Sequence, residues 1–251
     1  MSTLNTKNLS TMAVVAISFY LLPMQTALAS HKVYSPTVEQ GEIELELRGH
    51  TTSDSDPAKD GLGKYKLEAG YGVSEHWFTS VFAEYETAPG VAASQTALSW
   101  ENIFQLTEPG QYWMDVGAYL EYEHAQETGV NDKLEGKLLL EKTSGAYVNT
   151  ANIVLAHELG AGASSATEFE LAWRTKYLLD PHFEPSIEFY GSYGELGVTP
   201  SSAQDHRIGP VVSGRFNTSP HHKLGYELGY LVGISDAAPS GTLKFLLEYE
   251  M

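Results

Sequence analysis

The residues that could do chemistry in this chain sit at alternate positions. Glu42, Glu44 and Glu46 alternate with Ile43, Leu45 and Leu47. Glu168, Glu170, Arg174 and Lys176 alternate with Phe169, Leu171, Trp173, Thr175 and Tyr177. The same placement marks Glu68, Glu84, Glu101, Asp115, Glu121, Glu188, Arg207, Arg215 and Glu227 as candidates for one common face. Period two is the strand period, so charged side chains line one surface of a sheet and apolar ones the other. By this parity about 20 acids and about 10 bases share the charged face. So many carboxylates must be paired, wetted or partly protonated. Two arrangements meet that demand. One is a polar channel whose charged rings set selectivity, with the acid excess favouring cations or neutral solutes over anions. The other is a salt-bridged filling that stiffens the wall and does not conduct.

Covalent catalysis has less support. Lipid hydrolases of the outer membrane set a His beside a Ser on the lipid-facing rim, and His157 shares parity with Ile153 and Leu155 near a strand end. No Ser stands two residues away on that face, so His157 reads as an interfacial polar residue and a lipid hydrolase is the remote alternative. His221 and His222 are adjacent in a turn, where neighbouring side chains do not converge on a metal. Gly61-Leu62-Gly63 and Gly160-Ala161-Gly162 read as loop and turn glycine, not a phosphate cradle. The expectation is no enzyme, no cofactor and no metal. Absent cysteine removes disulfides and thiol chemistry. A net charge of −17 argues against nucleic acid as a partner, because such binding needs basic surface.

The elements that must position these residues are strands. Twelve are predicted, at 41–49, 64–72, 77–86, 96–106, 111–123, 132–142, 147–159, 167–178, 183–195, 206–216, 222–235 and 241–251. The clearest is 223–234: Leu224, Tyr226, Leu228, Tyr230, Val232 and Ile234 share one face, and Lys223, Gly225, Glu227, Gly229 and Gly233 the other. Short turns alternate with mostly longer connections such as 51–63 and 196–205, the asymmetry of periplasmic turns and outer loops. Outward aromatics band at the strand ends. Tyr71, Trp77, Tyr112, Tyr177, Phe183, Phe216 and Tyr249 lie toward one end, and Tyr85, Tyr122, Phe169 and Tyr193 toward the other. A soluble β-sandwich also alternates, but its core does not need aromatics banded at both ends.

Ahead of the strands, Lys7 precedes an apolar run from Met12 to Leu22, and Pro23 ends it. Ala27 and Ala29 then supply a small-x-small pattern, predicting cleavage before Ser30. The run is too short to span a bilayer of ~30 Å as a helix. Residues 1–29 therefore read as a signal peptide and 30–251 as one domain. That domain is all-β: a transmembrane antiparallel up-and-down β-barrel of about 12 strands in the bacterial outer membrane. An even strand count puts both ends on the periplasmic side.

Leu243, Phe245, Leu247, Tyr249 and Met251 share one parity up to the C-terminus, and this resembles the terminal signal of barrels handled by the outer-membrane assembly machinery; the usual terminal aromatic is replaced by Met251. More widely, KYKLEAGYGV at 64–73, LEYE at 120–123 and RIGPV at 207–211 resemble outer-membrane barrels of the type assigned to the MetA pathway of phenol degradation. That resemblance implies passage of small aromatic or apolar molecules and brings no mapped site residues. The expected partners are outer-membrane lipid, the assembly machinery and small solutes. The favoured function is a passive channel or facilitator with an acidic lumen. The alternative is a non-conducting barrel whose contact surfaces are the outer loops 51–63 and 196–205.

A folded barrel keeps its strand ladder in detergent until boiled. The protein should fractionate with outer membranes and shift its gel mobility on heating. Recovery from the soluble periplasm with a heat-independent mobility is the contrary result.

Overall fold

The structure, a computed structural model, describes residues 31–197 and 204–251. The cleavage-pattern residues Ala27, Ala29 and Ser30, and part of the 196–205 loop, lie outside the described residues. Twelve strands follow one another: β1 (Ile43–Ser53), β2 (Gly63–Ser74), β3 (Trp77–Ala88), β4 (Val91–Gln105), β5 (Asp115–Ala125), β6 (Asp132–Ser144), β7 (Tyr147–Leu159), β8 (Thr167–Tyr177), β9 (Glu184–Glu195), β10 (Asp205–Ser219), β11 (His222–Gly233) and β12 (Gly241–Glu250). Each pairs antiparallel with its neighbours in sequence, and β1 pairs with β12 from Glu44↔Glu250 to Ser53↔Gly241. The sheet is thus a closed up-and-down barrel without a free edge, not a sandwich of two sheets.

Parity decides what each surface carries. Leu45, Leu67, Val81, Trp100, Leu228 and Leu243 are exposed on the outside, whereas Glu46, Glu68, Glu84, Glu101 and Glu188 are buried inside. An apolar exterior on a closed barrel places the protein in the outer membrane. Aromatic pairs gather near the strand ends: Trp77 stacks on Phe104 and Tyr147 packs tilted against Tyr177 at one end, and Phe169 packs tilted against Tyr193 at the other. Both ends of the sheet meet where Ile43 N–H and the Met251 carbonyl bond at 2.9 Å; this is the periplasmic end by the turn asymmetry.

Several boundaries differ from expectation. β1 starts at Ile43 and continues to Ser53, because Thr51 and Thr52 pair with Gly63 and Thr242 across both seams. β4 begins at Val91, so the outer β3–β4 connection is a tight turn over Pro89 and Gly90 (φ +75°) and not a long loop. Conversely, the periplasmic β4–β5 connection is long. Pro109 lacks the amide a ladder needs. Thr107 Oγ1 accepts from Val116 N–H at 2.8 Å, and Asp115 accepts from Gly110 N–H at 2.7 Å. Tyr112 and Trp113 therefore fall in this connection, exposed, instead of opposing one another in β5.

The outer loops are tied across the β1–β12 seam. Asp54 accepts from Ser240 N–H at 2.6 Å, Ser240 Oγ at 2.9 Å and Asp56 N–H at 2.7 Å. The Asp56 and Ser240 amides hold its carboxyl down to about 2.

The parity assignment has a direct test. Leu171→Arg puts a charge on the lipid face at a cost of about 2–4 kcal/mol and should sharply reduce the heat-modifiable, inserted fraction. Glu170→Gln alters only the lumen face and should leave that fraction nearly unchanged. Equal losses would contradict the register.

Candidate functional site

The lumen is not empty. Residues 31–41 enter it as a strap with no strand of their own, running from the outer half down to the periplasmic mouth. His31 Nδ1 lies 3.1 Å from His50 Nδ1, and Arg207 Nη1 lies 3.1 Å from His31 Nε2. Lower down, Val38 N–H donates to Gln105 at 2.9 Å, and Lys223 pairs with Glu39 at 3.2 Å. Gly41 N–H then joins the Gly72 carbonyl at 2.8 Å as the chain turns into β1.

Tyr34 is the centre of this arrangement. Its backbone N–H donates to Asn152 Oδ1 at 2.7 Å, and its carbonyl accepts from Asn152 Nδ2 at 2.9 Å. One amide side chain on β7 thus satisfies both backbone groups of a buried residue, as a strand partner would. The Tyr34 hydroxyl donates to Glu101 at 3.1 Å and accepts from Arg48 at 3.2 Å. Its ring packs on Tyr119 with centroids 4.8 Å apart, and Lys137 Nζ stands 4.2 Å from its centroid. A desolvated cation over an aromatic face contributes about 2 kcal/mol.

Two wall networks flank the strap. On the β1–β7 side, Arg48 bridges Glu46 and Glu68, and the Tyr119 hydroxyl lies 2.9 Å from Glu101 and 2.5 Å from Glu121. On the β8–β12 side, Lys244 pairs with Glu188 at 2.7 Å and Glu227 at 3.3 Å, and Arg174 reaches Glu227 at 2.8 Å. Lys32 of the strap joins the first network, 2.6 Å from Glu46. Apolar contacts fill the gaps. Val33 packs with Ala172, Tyr190, Val211 and Leu231, and Tyr34 with Phe78, Ile103, Tyr119 and Leu139. Two wall glycines make room. A Cβ on Gly72 would fall 1.9 Å from the Glu39 carbonyl oxygen, and one on Gly117 would meet Pro36 at 2.8 Å.

The residues singled out by parity take different places. Glu68, Glu101, Glu121, Arg174, Glu188, Arg207 and Glu227 belong to the networks around the strap. Glu84 pairs with Lys64 at 2.7 Å and Lys66 at 3.3 Å. Glu170 faces a cavity of about 220 Å³ in the outer half. Two fall outside the enclosed lumen. Asp115 caps the β4–β5 turn, and Arg215 is exposed at the periplasmic mouth, where the lumen side of β10 opens to water. His157 Nδ1 lies 2.9 Å from the Ala166 carbonyl, and no serine hydroxyl is within hydrogen-bond reach of it among the described residues.

The strap itself is what reading by alternation missed. A signal for it was present: Phe78, Ile103, Leu139, Tyr190 and Leu231 are large apolar or aromatic residues on the lumen parity. A water-filled channel leaves such groups without a partner. They call for something apolar inside the barrel, which Val33 and Tyr34 supply.

No protein-family model matches the chain, and no curated protein matches it in sequence. Among solved structures, a bacterial polysaccharide outer membrane secretin is similar with a TM-score of 0.41 and 9% identity, over 83% of this chain and 97% of that one. A loop L8 deletion mutant of OmpT, an outer membrane protein of Vibrio cholerae, is similar with a TM-score of 0.30 and 11% identity, over 84% of this chain and 97% of the other.

Asn152→Ala leaves two buried backbone groups of Tyr34 without partners, each costing about 1–3 kcal/mol. The strap should loosen. Because the chain has no cysteine, Val33→Cys gives a single reporter thiol. It should resist maleimide in an otherwise unaltered barrel and react readily when combined with Asn152→Ala. Equal reactivity in both backgrounds would mean that the strap does not depend on Asn152.

Proposed function

We propose that this protein is a non-catalytic outer-membrane barrel that is closed to ions at rest by its own N-terminal segment. The observation that carries this reading is the course of residues 31–41, tied to the wall at the outer half by His31, at mid-height by Tyr34 and at the periplasmic mouth by Glu39. Charged rings that would line an open channel are instead spent on each other and on the strap.

The strap is also separable. Among the described residues, 31–40 make no backbone–backbone bond to the wall and are held by side chains. Passage of small cationic or neutral solutes would require this segment to withdraw toward the periplasm. The sequence resemblance to barrels of the MetA-pathway type adds small aromatic or apolar molecules to the candidate passengers.

Planar-bilayer recording of the purified protein tests the reading. The intact barrel should show no steady conductance. Deletion of residues 31–38 should open a cation-selective pore, with conductance at least about tenfold higher, because the emptied wall is lined mainly by carboxylates. Steady conductance of the intact barrel equal to that of the deletion would refute it, and anion selectivity of the deletion would refute the charge argument.

A further inference from the structure

Above the strap, the outer half of the lumen opens into the cavity of about 220 Å³ faced by Glu170. That is far more than the ~10–15 Å³ a single water needs, so it can hold several waters or an aliphatic chain. Its charge is one-sided. The carboxylates of Glu86, Glu127, Glu158, Glu168, Glu170 and Glu195 line it, with Glu84 and Glu123 beside them. Among the described residues, Lys64 and Lys133 are its only bases apart from His157, and they are already engaged: Lys64 with Glu84 and Glu86, and Lys133 with Glu123 at 3.1 Å. Glu158 accepts from Asn131 Nδ2 at 3.0 Å and from Ser164 N–H at 3.1 Å, which are neutral donors.

Glu170 is the exceptional group. It is only 6% exposed, yet it has no hydrogen-bond or ion-pair partner among the described residues, and it lines the cavity. A buried carboxylate without a partner is costly. Every other buried acid that sequence parity placed in the lumen has a base or a hydroxyl against it. Lys133 and Lys137 act on Glu170 only from farther off, and among the described residues no cation stands within ion-pair distance of it.

We propose that this cavity is a binding site for an aliphatic polyamine, with one ammonium on Glu170 and another toward the outer-rim carboxylates of Glu127 and Glu195. Shape chooses this class over a metal ion. A divalent cation needs several oxygens converging on one point. Among the described residues the carboxylates that bring three oxygens within 4.8 Å of one another are Glu44, Glu46 and Glu248, in the lower lumen, and two of these already face Lys32. The cavity acids are spread out and separated by Ala97, Ala125, Val130, Ala156 and Ala166. Carboxylates set apart by small apolar surface fit a ligand whose ammonium groups are joined by methylene stems. No residue of the strap lines the cavity, so the site does not require the strap to stay or leave.

Titration calorimetry of the purified full-length barrel at low salt, with spermidine as the probe, tests the proposal. Spermidine should bind more tightly than calcium or butylamine. Glu170→Gln should weaken it at least about fivefold, as expected for loss of a charge-assisted hydrogen bond. The paired exposed changes Glu127→Gln and Glu195→Gln should weaken it as well, and they decide the question if the Glu170 variant loses its heat-dependent mobility. Glu75→Gln, in a periplasmic turn, should leave binding unchanged. No heat with spermidine, calcium binding as tight as spermidine, or equal loss from Glu75→Gln would overturn the assignment.

Discussion

Inside hydrocarbon, each backbone N–H and C=O must find its partner within the protein, and each unsatisfied group costs several kcal/mol. The β1–β12 pairing is where this chain meets that constraint. Once the sheet is closed, every residue faces either lipid or lumen. Charges are excluded from the lipid side, so the acids of a strongly acidic chain are driven inward. The crowded lumen is a consequence of closure, not an independent feature.

Crowding then makes the strap necessary. Twelve strands enclose more space than wall side chains alone fill, and the inward set mixes carboxylates with Phe78, Leu139 and Leu231. Water would serve the first group and leave the second exposed. Residues 31–41 serve both. Val33 and Tyr34 enter the apolar clusters, Lys32 adds a positive charge beside Glu46, and the Tyr34 hydroxyl connects Arg48 with Glu101. A buried ion pair contributes little over an apolar substitute, but removing one member costs about 3–5 kcal/mol. The network therefore acts mainly as a specificity device, favouring one seating of the strap over others.

The lumen is consequently uneven along its length. The periplasmic half is filled by the strap and its partners. The outer half keeps a cavity where acids outnumber bases and Glu170 has no partner. The strap-filled level and the acidic cavity thus lie at different heights of one lumen.

Much of this was legible in the chain, for a physical reason. The lipid penalty acts residue by residue, so it writes period two directly into segments such as 223–234, and the strands, their order and the inward parity of Glu68, Glu101 or Glu188 follow from local pattern. Turn chemistry was less so. Asp115 has the inward parity, but a backbone amide five residues away claims its carboxylate, and β4 extends to Val91 because its partner strand does. The inward apolar residues called for a filler, but which segment supplies it and how it runs were not legible. The strap's contacts lie far away in the chain, as Tyr34 with Asn152 and His31 with Arg207 show, and it has neither periodicity nor a backbone ladder. Local pattern records which face a residue prefers. Only the closed barrel, by enclosing a volume that some other segment must fill, decides what lies inside it.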